Sequence, residues 1–142
     1  MTSTEFLRQT INSLADADEF NAVTVHLFTN DFEIPPTVVP GDFDEADFTG
    51  YAEADANKVG VAWDDSNGNA ILSFVGVHFQ PTASTVTNVV VGWWAQANVD
   101  GSGPCVIACG KFPSPVTMAG VADAIDMVPL VAIGNTIGTV GA

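Results

Sequence analysis

The sequence predicts a mainly β protein, an antiparallel β-sandwich or barrel with one N-terminal helix. Residues 21–30, NAVTVHLFTN, alternate between apolar and polar side chains, which is the pattern of a strand. Two β-rich runs flank the turn sequence DDSNGN, and residues 86–96, VTNVVVGWWAQ, form a third strong strand pattern. Short strands separated by turn signals are typical of antiparallel sheets.

The N-terminal region carries the one convincing helical pattern, over residues 2–19. Thr2 and Glu5 have the spacing of a capping box. Apolar side chains then recur at helical spacing, at Leu7, Ile11 and Leu14. We therefore expect a helical arm at 1–20.

The rest of the chain is predicted to form one antiparallel β domain over 21–134, followed by a glycine-rich tail at 135–142. In the β domain, Lys58–Trp63 and Ala70–Phe79 are expected to form a hairpin. A strand Cys105–Lys111 is expected next, followed by a stretch broken by prolines, FPSPVTM. The last expected strand is Met127–Ile133.

The amino-acid composition limits the classes of molecule that the protein is expected to bind. The 142 residues include 17 acidic and 3 basic ones, for a net charge of −14, and such a field repels nucleic acid and anionic membranes. Only 14% of the residues are charged, so uncharged and apolar surface must face outward. Surface of that kind often marks protein contacts, and it predicts a homo-oligomer or an assembly component.

The stretch GDFDEADFTGYAEAD, residues 41–55, contains six carboxylates. An EF-hand loop beginning at Asp42 would need an acid at Ala46 and the turning glycine at Asp47, so a calcium loop is disfavoured. We expect instead a structural connection whose aromatic side chains anchor it on the core, at Phe43, Phe48 and Tyr51. Whether this loop binds a cation stays open.

The other chemistry-bearing residues form no recognisable catalytic or metal motif. His26 and His78 are the two histidines, too few for a histidine-rich barrel metal site. Cys105 and Cys109, if they share one strand, are expected on the same face about 13 Å apart, too far to bridge and therefore reduced. We expect no cofactor, no bound metal and no enzyme activity.

Trp93 and Trp94 are adjacent on a predicted strand and must point to opposite faces. One is expected in the core. The other is expected on the outer face, against a neighbouring element or another subunit.

Two stretches, VHLFTNDFEIPPTVVPGDFDEADFTGYA and VVVGWWAQ with GKFPSPVTM and VPLVAI, resemble a family of small β-rich virion proteins of tailed bacteriophages. The shared pattern is a strand ending in LF-N, a proline loop, a DFTEADF-GYA-like segment, an aromatic strand and an ERFP-PVT-like step. It runs in order from about Val25 to Ile133. The helix at 2–19, the insertion NVDGSGPCVIAC and GWWAQ depart from it.

The resemblance implies a structural protein of the virion. The first expectation is a capsid decoration (cement) protein, made in the host cytoplasm and bound to the capsid exterior through the major capsid protein, as an oligomer and most simply a trimer. Its expected contact and anchor residues are Phe6, Leu7, Ile11 and Leu14 in a docking arm, with Phe43, Phe48, Tyr51, Trp93 and Trp94. One alternative is a tail or fibre component that binds host receptors, with Trp94, Asp64 and Asn67 as candidates. The other is an enzyme or metalloprotein using Asp42, Asp44, Glu53 and a histidine.

Overall fold

The fold is described from a computed structural model of the 142-residue chain. The description covers residues 18–64, 66–84, 86–99, 103–134 and 138–139, together with Glu5, Gln9, Ile11, Ser13 and Ala15.

Nearly all regular structure in the described part is β. The strands are β1 Ala22–Phe28, β2 Ala54–Asp64, β3 Asn69–Phe74, β4 Val77–Phe79, β5 Asn88–Val99, β6 Gly103–Met118, β7 Ile125–Met127, β8 Leu130–Gly134 and β9 Gly138–Thr139. Two 3₁₀ turns, Asp18–Phe20 and Pro40–Asp42, precede β1 and β2. Among the described residues there is no helix long and apolar enough to cross a membrane.

Seven strands form one antiparallel sheet in the order β6-β5-β1-β2-β3-β8-β9. Its two end strands, β6 and β9, come into contact, so the sheet curls into a nearly closed barrel. β4 and β7 form a separate antiparallel pair. The predicted mainly β, antiparallel fold is confirmed, and its architecture is barrel-like.

The predicted first strand is confirmed as β1, and both of its faces are covered. Val23, Val25 and Leu27 point into the barrel and are almost completely buried. His26 and Phe28 lie on the outer face, yet they are buried as well. Two segments fold back over this face: the proline-containing connection, residues 31–40, and the acidic segment, residues 41–55. They cover it, and the strand is therefore buried on both sides.

The hairpin around the DDSNGN turn is confirmed, since β2 pairs with β3 from Asp64↔Asn69 onward. The predicted strand Ala70–Phe79 is instead two strands, β3 and β4, because the chain leaves the barrel sheet between Phe74 and Val77. The predicted last strand Met127–Ile133 is likewise divided around Pro129, because β7 pairs with β4 and β8 with β3.

The prediction that FPSPVTM breaks the sheet is wrong, because β6 runs through it to Met118. β6 pairs with β5 through Gly92↔Lys111 and resumes at Val90↔Val116. Pro113 and Pro115 lie in this interruption of the ladder, on a strand at the end of the sheet order, where no donor is required of them.

A second irregularity in β6 changes the expectation for the cysteines. Ala95 pairs with Ala108 but Gln96 pairs with Val106, so Ile107 is an extra residue in the strand. Cys109 therefore pairs with Trp94 on the outer face, whereas Cys105 pairs with Ala97, a residue of the barrel core. The two thiols are free, and the prediction that they share a face is wrong.

Apolar side chains pack in two clusters on opposite sides of the sheet. The barrel core contains Trp93, Phe48, Phe74, Leu27 and Met118 among its largest members. The outer cluster consists of Phe28, Phe43, Val91 and Trp94, with Phe32, Ile34 and Val38 of the proline-containing connection packed against it.

Most of the predicted N-terminal helix, including Phe6, Leu7 and Leu14, lies outside the described residues, so the helix stays a prediction. Ile11 and Ala15 are buried in the barrel core, and the Lys58 ammonium donates a hydrogen bond to the Ala15 carbonyl at 3.1 Å. Ile11 thus packs on its own domain and is not free to dock elsewhere. Of the predicted tail, 135–137 and 140–142 lie outside the described residues.

Candidate functional site

Three rings are stacked on the outer face of the sheet, where β5 lies beside β1. His26 pairs with Trp94 across these strands, and their rings are parallel, with centroids 4.5 Å apart. Phe43 of the acidic segment covers the indole, with centroids 4.7 Å apart and an interplanar angle of 8°. The imidazole is therefore fixed in orientation by aromatic packing, with only 7% of the residue exposed.

Both nitrogens of His26 have partners. Nδ1 lies 3.0 and 3.1 Å from the two carboxylate oxygens of Glu45, and Nε2 lies 3.1 Å from the Thr24 hydroxyl. Glu45 reaches this position because the acidic segment forms an isolated antiparallel bridge between Glu45 and Phe28. The backbone amide of Ala46 also donates to the Leu27 carbonyl at 2.9 Å, which holds the segment against β1.

Tyr51 supports the same arrangement from the end of the acidic segment. Its hydroxyl accepts a hydrogen bond from the Leu27 amide at 3.1 Å, and the Glu45 carboxylate lies close to it. Burial raises the pKa of Tyr51 far above its usual value, and the Leu27 amide only partly opposes this effect. The phenol therefore stays protonated and keeps its O–H for the carboxylate.

Glu53 completes a cluster of three potential ligands. One atom each of His26, Glu45 and Glu53 lie within 4.8 Å of one another, with the histidine buried and both glutamates exposed. The antiparallel register Val25↔Ala54 explains this position, because the residue before Ala54 falls opposite the residue after Val25. The cluster brings an imidazole and two carboxylates from three separate parts of the chain to one solvent-accessible point.

Two of the acids favoured by the metalloprotein alternative, Asp42 and Asp44, lie outside this cluster. The Asp42 carboxylate accepts the Val39 amide at 3.0 Å within a 3₁₀ turn. The Asp44 amide donates to the Asn30 side chain at 2.7 Å, and Asn30 in turn donates to the Asp42 carbonyl. Glu53 and a histidine do meet, as that alternative supposed, but the third member is Glu45.

The predicted anchor residues fall in both clusters. Phe43 and Trp94 are buried in the outer cluster, whereas Phe48 and Trp93 are buried in the barrel core. Tyr51 is half-buried against the barrel core, with edge-on contact to Phe48 at 5.2 Å. Trp94 is 2% exposed and packs against elements of its own chain.

A second polar cluster lies on the small sheet. His78 of β4 pairs with Asp126 of β7, and its Nδ1 bonds to that carboxylate while Nε2 meets Gln80 at 3.0 Å. The bond to Asp126 raises the pKa of His78, and the Gln80 contact adds to this effect. Beside the pair lies an open groove of about 580 Å³ with apolar walls, lined by Val77, Met127, Val128 and Leu130.

Sequence reasoning considered both histidines and Glu53 but missed Glu45 as the partner of His26. No spacing in the sequence signals this contact, because the two residues are 19 apart and meet only through the fold-back over β1. No protein-family model, characterised protein or solved structure matches the chain. Its function must therefore be inferred from its own residues.

Proposed function

We propose that this protein is a structural virion protein of a tailed bacteriophage, and specifically a capsid decoration protein. In this role it binds the outside of the head shell as an oligomer, most simply a trimer, and has no catalytic activity. The order of short motifs from Val25 to Ile133 that resembles small phage virion proteins supports this role, and a mainly β, barrel-like domain is compatible with it.

The observation that carries the proposal is the amount of large apolar side chain left in solvent on a chain with few charges. Within the described part of the chain, the large apolar side chains that are exposed are Val39, Val59, Val75, Val86, Val89, Val121 and Val128. Val86 is 80% exposed and Val59 is 68% exposed. Burial of such side chains at shell and subunit contacts is a source of binding energy.

The groove beside β4 and β7 is a favourable place for one of these contacts. Val75 and Val128 are both more than half exposed, and Val128 lies against Gly76 at the rim of the groove. A decoration protein acts mechanically, because the area buried between neighbouring copies must be re-exposed before the shell can expand. The net charge of −14 suits a position outside the shell, away from packed DNA.

Copy number in purified virions tests the proposal. Quantitative mass spectrometry should find hundreds of copies per particle, in proportion to the major capsid protein. A handful of copies would instead indicate the tail or fibre alternative. For that alternative, the buried position of Trp94 removes the aromatic platform that was its best candidate for binding sugar.

Shell binding by variants gives a second test. Val128→Asp places a charge on the groove rim and should weaken binding of the purified protein to empty shells at least tenfold. Val39→Asp, on the proline-containing connection away from β4 and β7, is the matched control for charge and exposure. Equal binding by both variants and the unmodified protein would exclude the groove as the shell contact.

A further inference from the structure

We propose that His26, Glu45 and Glu53 form a binding site for a divalent transition-metal ion, with Zn²⁺ the first choice. This site is independent of the proposed virion role. The ion would join the acidic segment to β1 and to the start of β2, three stretches that otherwise meet through hydrogen bonds.

The donor set selects the class of metal. One imidazole nitrogen with two carboxylates suits Zn²⁺ or Mn²⁺, whereas Ca²⁺ and Mg²⁺ prefer sites made of oxygen atoms alone. Zn²⁺ bonds of about 2.0–2.2 Å put neighbouring ligands of a tetrahedral site roughly 3.4 Å apart. The Nδ1 of His26 and the Glu45 oxygens are already 3.0–3.1 Å apart, and all three ligand atoms lie within 4.8 Å.

The ligand side chains differ in how freely they can rotate, and this difference suits capture of an ion. His26 is buried and held by ring stacking on Trp94, so its Nδ1 has a fixed direction. Glu53 is exposed and can close the remaining distance by rotation of its side chain. Since both carboxylates are exposed, the ion has a direct path from solvent, and water can fill a fourth position.

The surroundings of the ligands match those of known metal sites. A metal-binding histidine usually donates its second N–H to an oxygen acceptor, which fixes the tautomer. Here the Thr24 hydroxyl lies 3.1 Å from Nε2, and it can accept that bond when Nδ1 binds the metal. The Glu45 carboxylate also lies near the Tyr51 hydroxyl, where its charge helps to raise the pKa of that phenol.

The competing explanation is that His26 and Glu45 are simply a hydrogen-bonded pair that needs no ion. That explanation does not involve Glu53. The two explanations therefore differ most sharply in the effect of changing Glu53.

The test is a calorimetric titration of the full chain with Zn²⁺ in about 0.15 M salt, after treatment with a chelator. We expect one ion per chain with a dissociation constant in the micromolar range or tighter, and at least tenfold weaker binding of Mg²⁺ and Ca²⁺. Glu53→Gln should weaken Zn²⁺ binding at least tenfold, while Glu33→Gln, an exposed glutamate on the proline-containing connection, should bind as the unmodified protein does.

A spectroscopic readout separates this site from general binding to an acidic surface. The ring signals of His26 should shift on addition of Zn²⁺ in the unmodified protein and in Glu33→Gln, whereas Glu53→Gln should need at least tenfold more Zn²⁺ for the same shift. Absence of stoichiometric binding would overturn the proposal. Equal weakening by both glutamine variants, or Zn²⁺ binding that leaves the His26 signals unchanged, would overturn it as well, and none of these results bears on copy number in virions.

Discussion

Truncation of Phe43 should show whether the acidic segment is an integral part of the fold. Phe43 is 5% exposed and contacts three aromatic rings, with centroids 4.7 Å from Trp94, 4.9 Å from Phe28 and 5.5 Å from Phe32. Phe43→Ala removes the ring from all three and leaves a cavity on the outer face. Buried Phe→Ala changes cost about 3–5 kcal/mol in the free energy of unfolding.

Urea denaturation followed by tryptophan fluorescence measures this loss. With a denaturant dependence of about 2 kcal/mol per molar urea, the midpoint should fall by roughly 1.5–2.5 M. Phe32→Ala is a useful comparison, because Phe32 belongs to the same cluster but is only half-buried, and its midpoint should fall much less. Phe43→Leu keeps most of the apolar volume and should also lose less.

An unchanged midpoint for Phe43→Ala would refute the reasoning, because it would mean that the segment does not depend on its aromatic anchor. A lower midpoint accompanied by a lower denaturant dependence would point to local detachment of the segment before the barrel unfolds.

Three further results are expected. Gly92→Ala should unfold the protein or strongly destabilise it, as measured by thermal melting, because an added Cβ would clash with the Gly110 carbonyl and lie 2.7 Å from the Phe28 ring. His78 should titrate above 6.5 by NMR and return toward 6.5 in Asp126→Asn. Since the folded-state pKa is the raised one, stabilisation by this pair is present below the unfolded pKa and lost as pH rises through the folded value. Removing residues 1–15 should lower the melting temperature, because Ile11 and Ala15 are buried in the core, and an unchanged temperature would contradict that packing.

Local patterns in the sequence were sufficient for the elements whose burial follows a simple period. β1 and the β2–β3 hairpin were predictable because alternation and a strong turn each act over a few residues. The continuation of β6 through Pro113 and Pro115 was not, since it depends on an interruption in pairing that only the partner strand reveals. The departure of β4 from the barrel sheet similarly depends on β7, where Asp126 lies 48 residues beyond its partner His78.

For the candidate site, the sequence allowed prediction of individual residues but not of the contacts between them. Phe43 and Phe48 were recognised as apolar residues within an acidic run, and both are buried. The meeting of Glu45 with His26 requires that the segment fold back over β1, and the burial of Trp94 has the same origin. Contacts made by a segment that folds back over a strand cannot be predicted from the residue pattern of that strand alone.

The extra residue at Ile107 has a consequence for how changes in length act on β6. The strand holds one residue more here than its pairing with β5 requires. Deletion of Ile107 would leave Ala95↔Ala108 and Gln96↔Val106 as neighbouring pairs, so every remaining side chain would keep its face. A deletion elsewhere in β6 that kept the bulge would instead reverse the faces on one side of the deletion. Side chains that line the barrel there would turn to the surface, and surface side chains would turn inward. Loss of one residue at this bulge therefore leaves the barrel-facing and outward-facing sides of β6 unchanged.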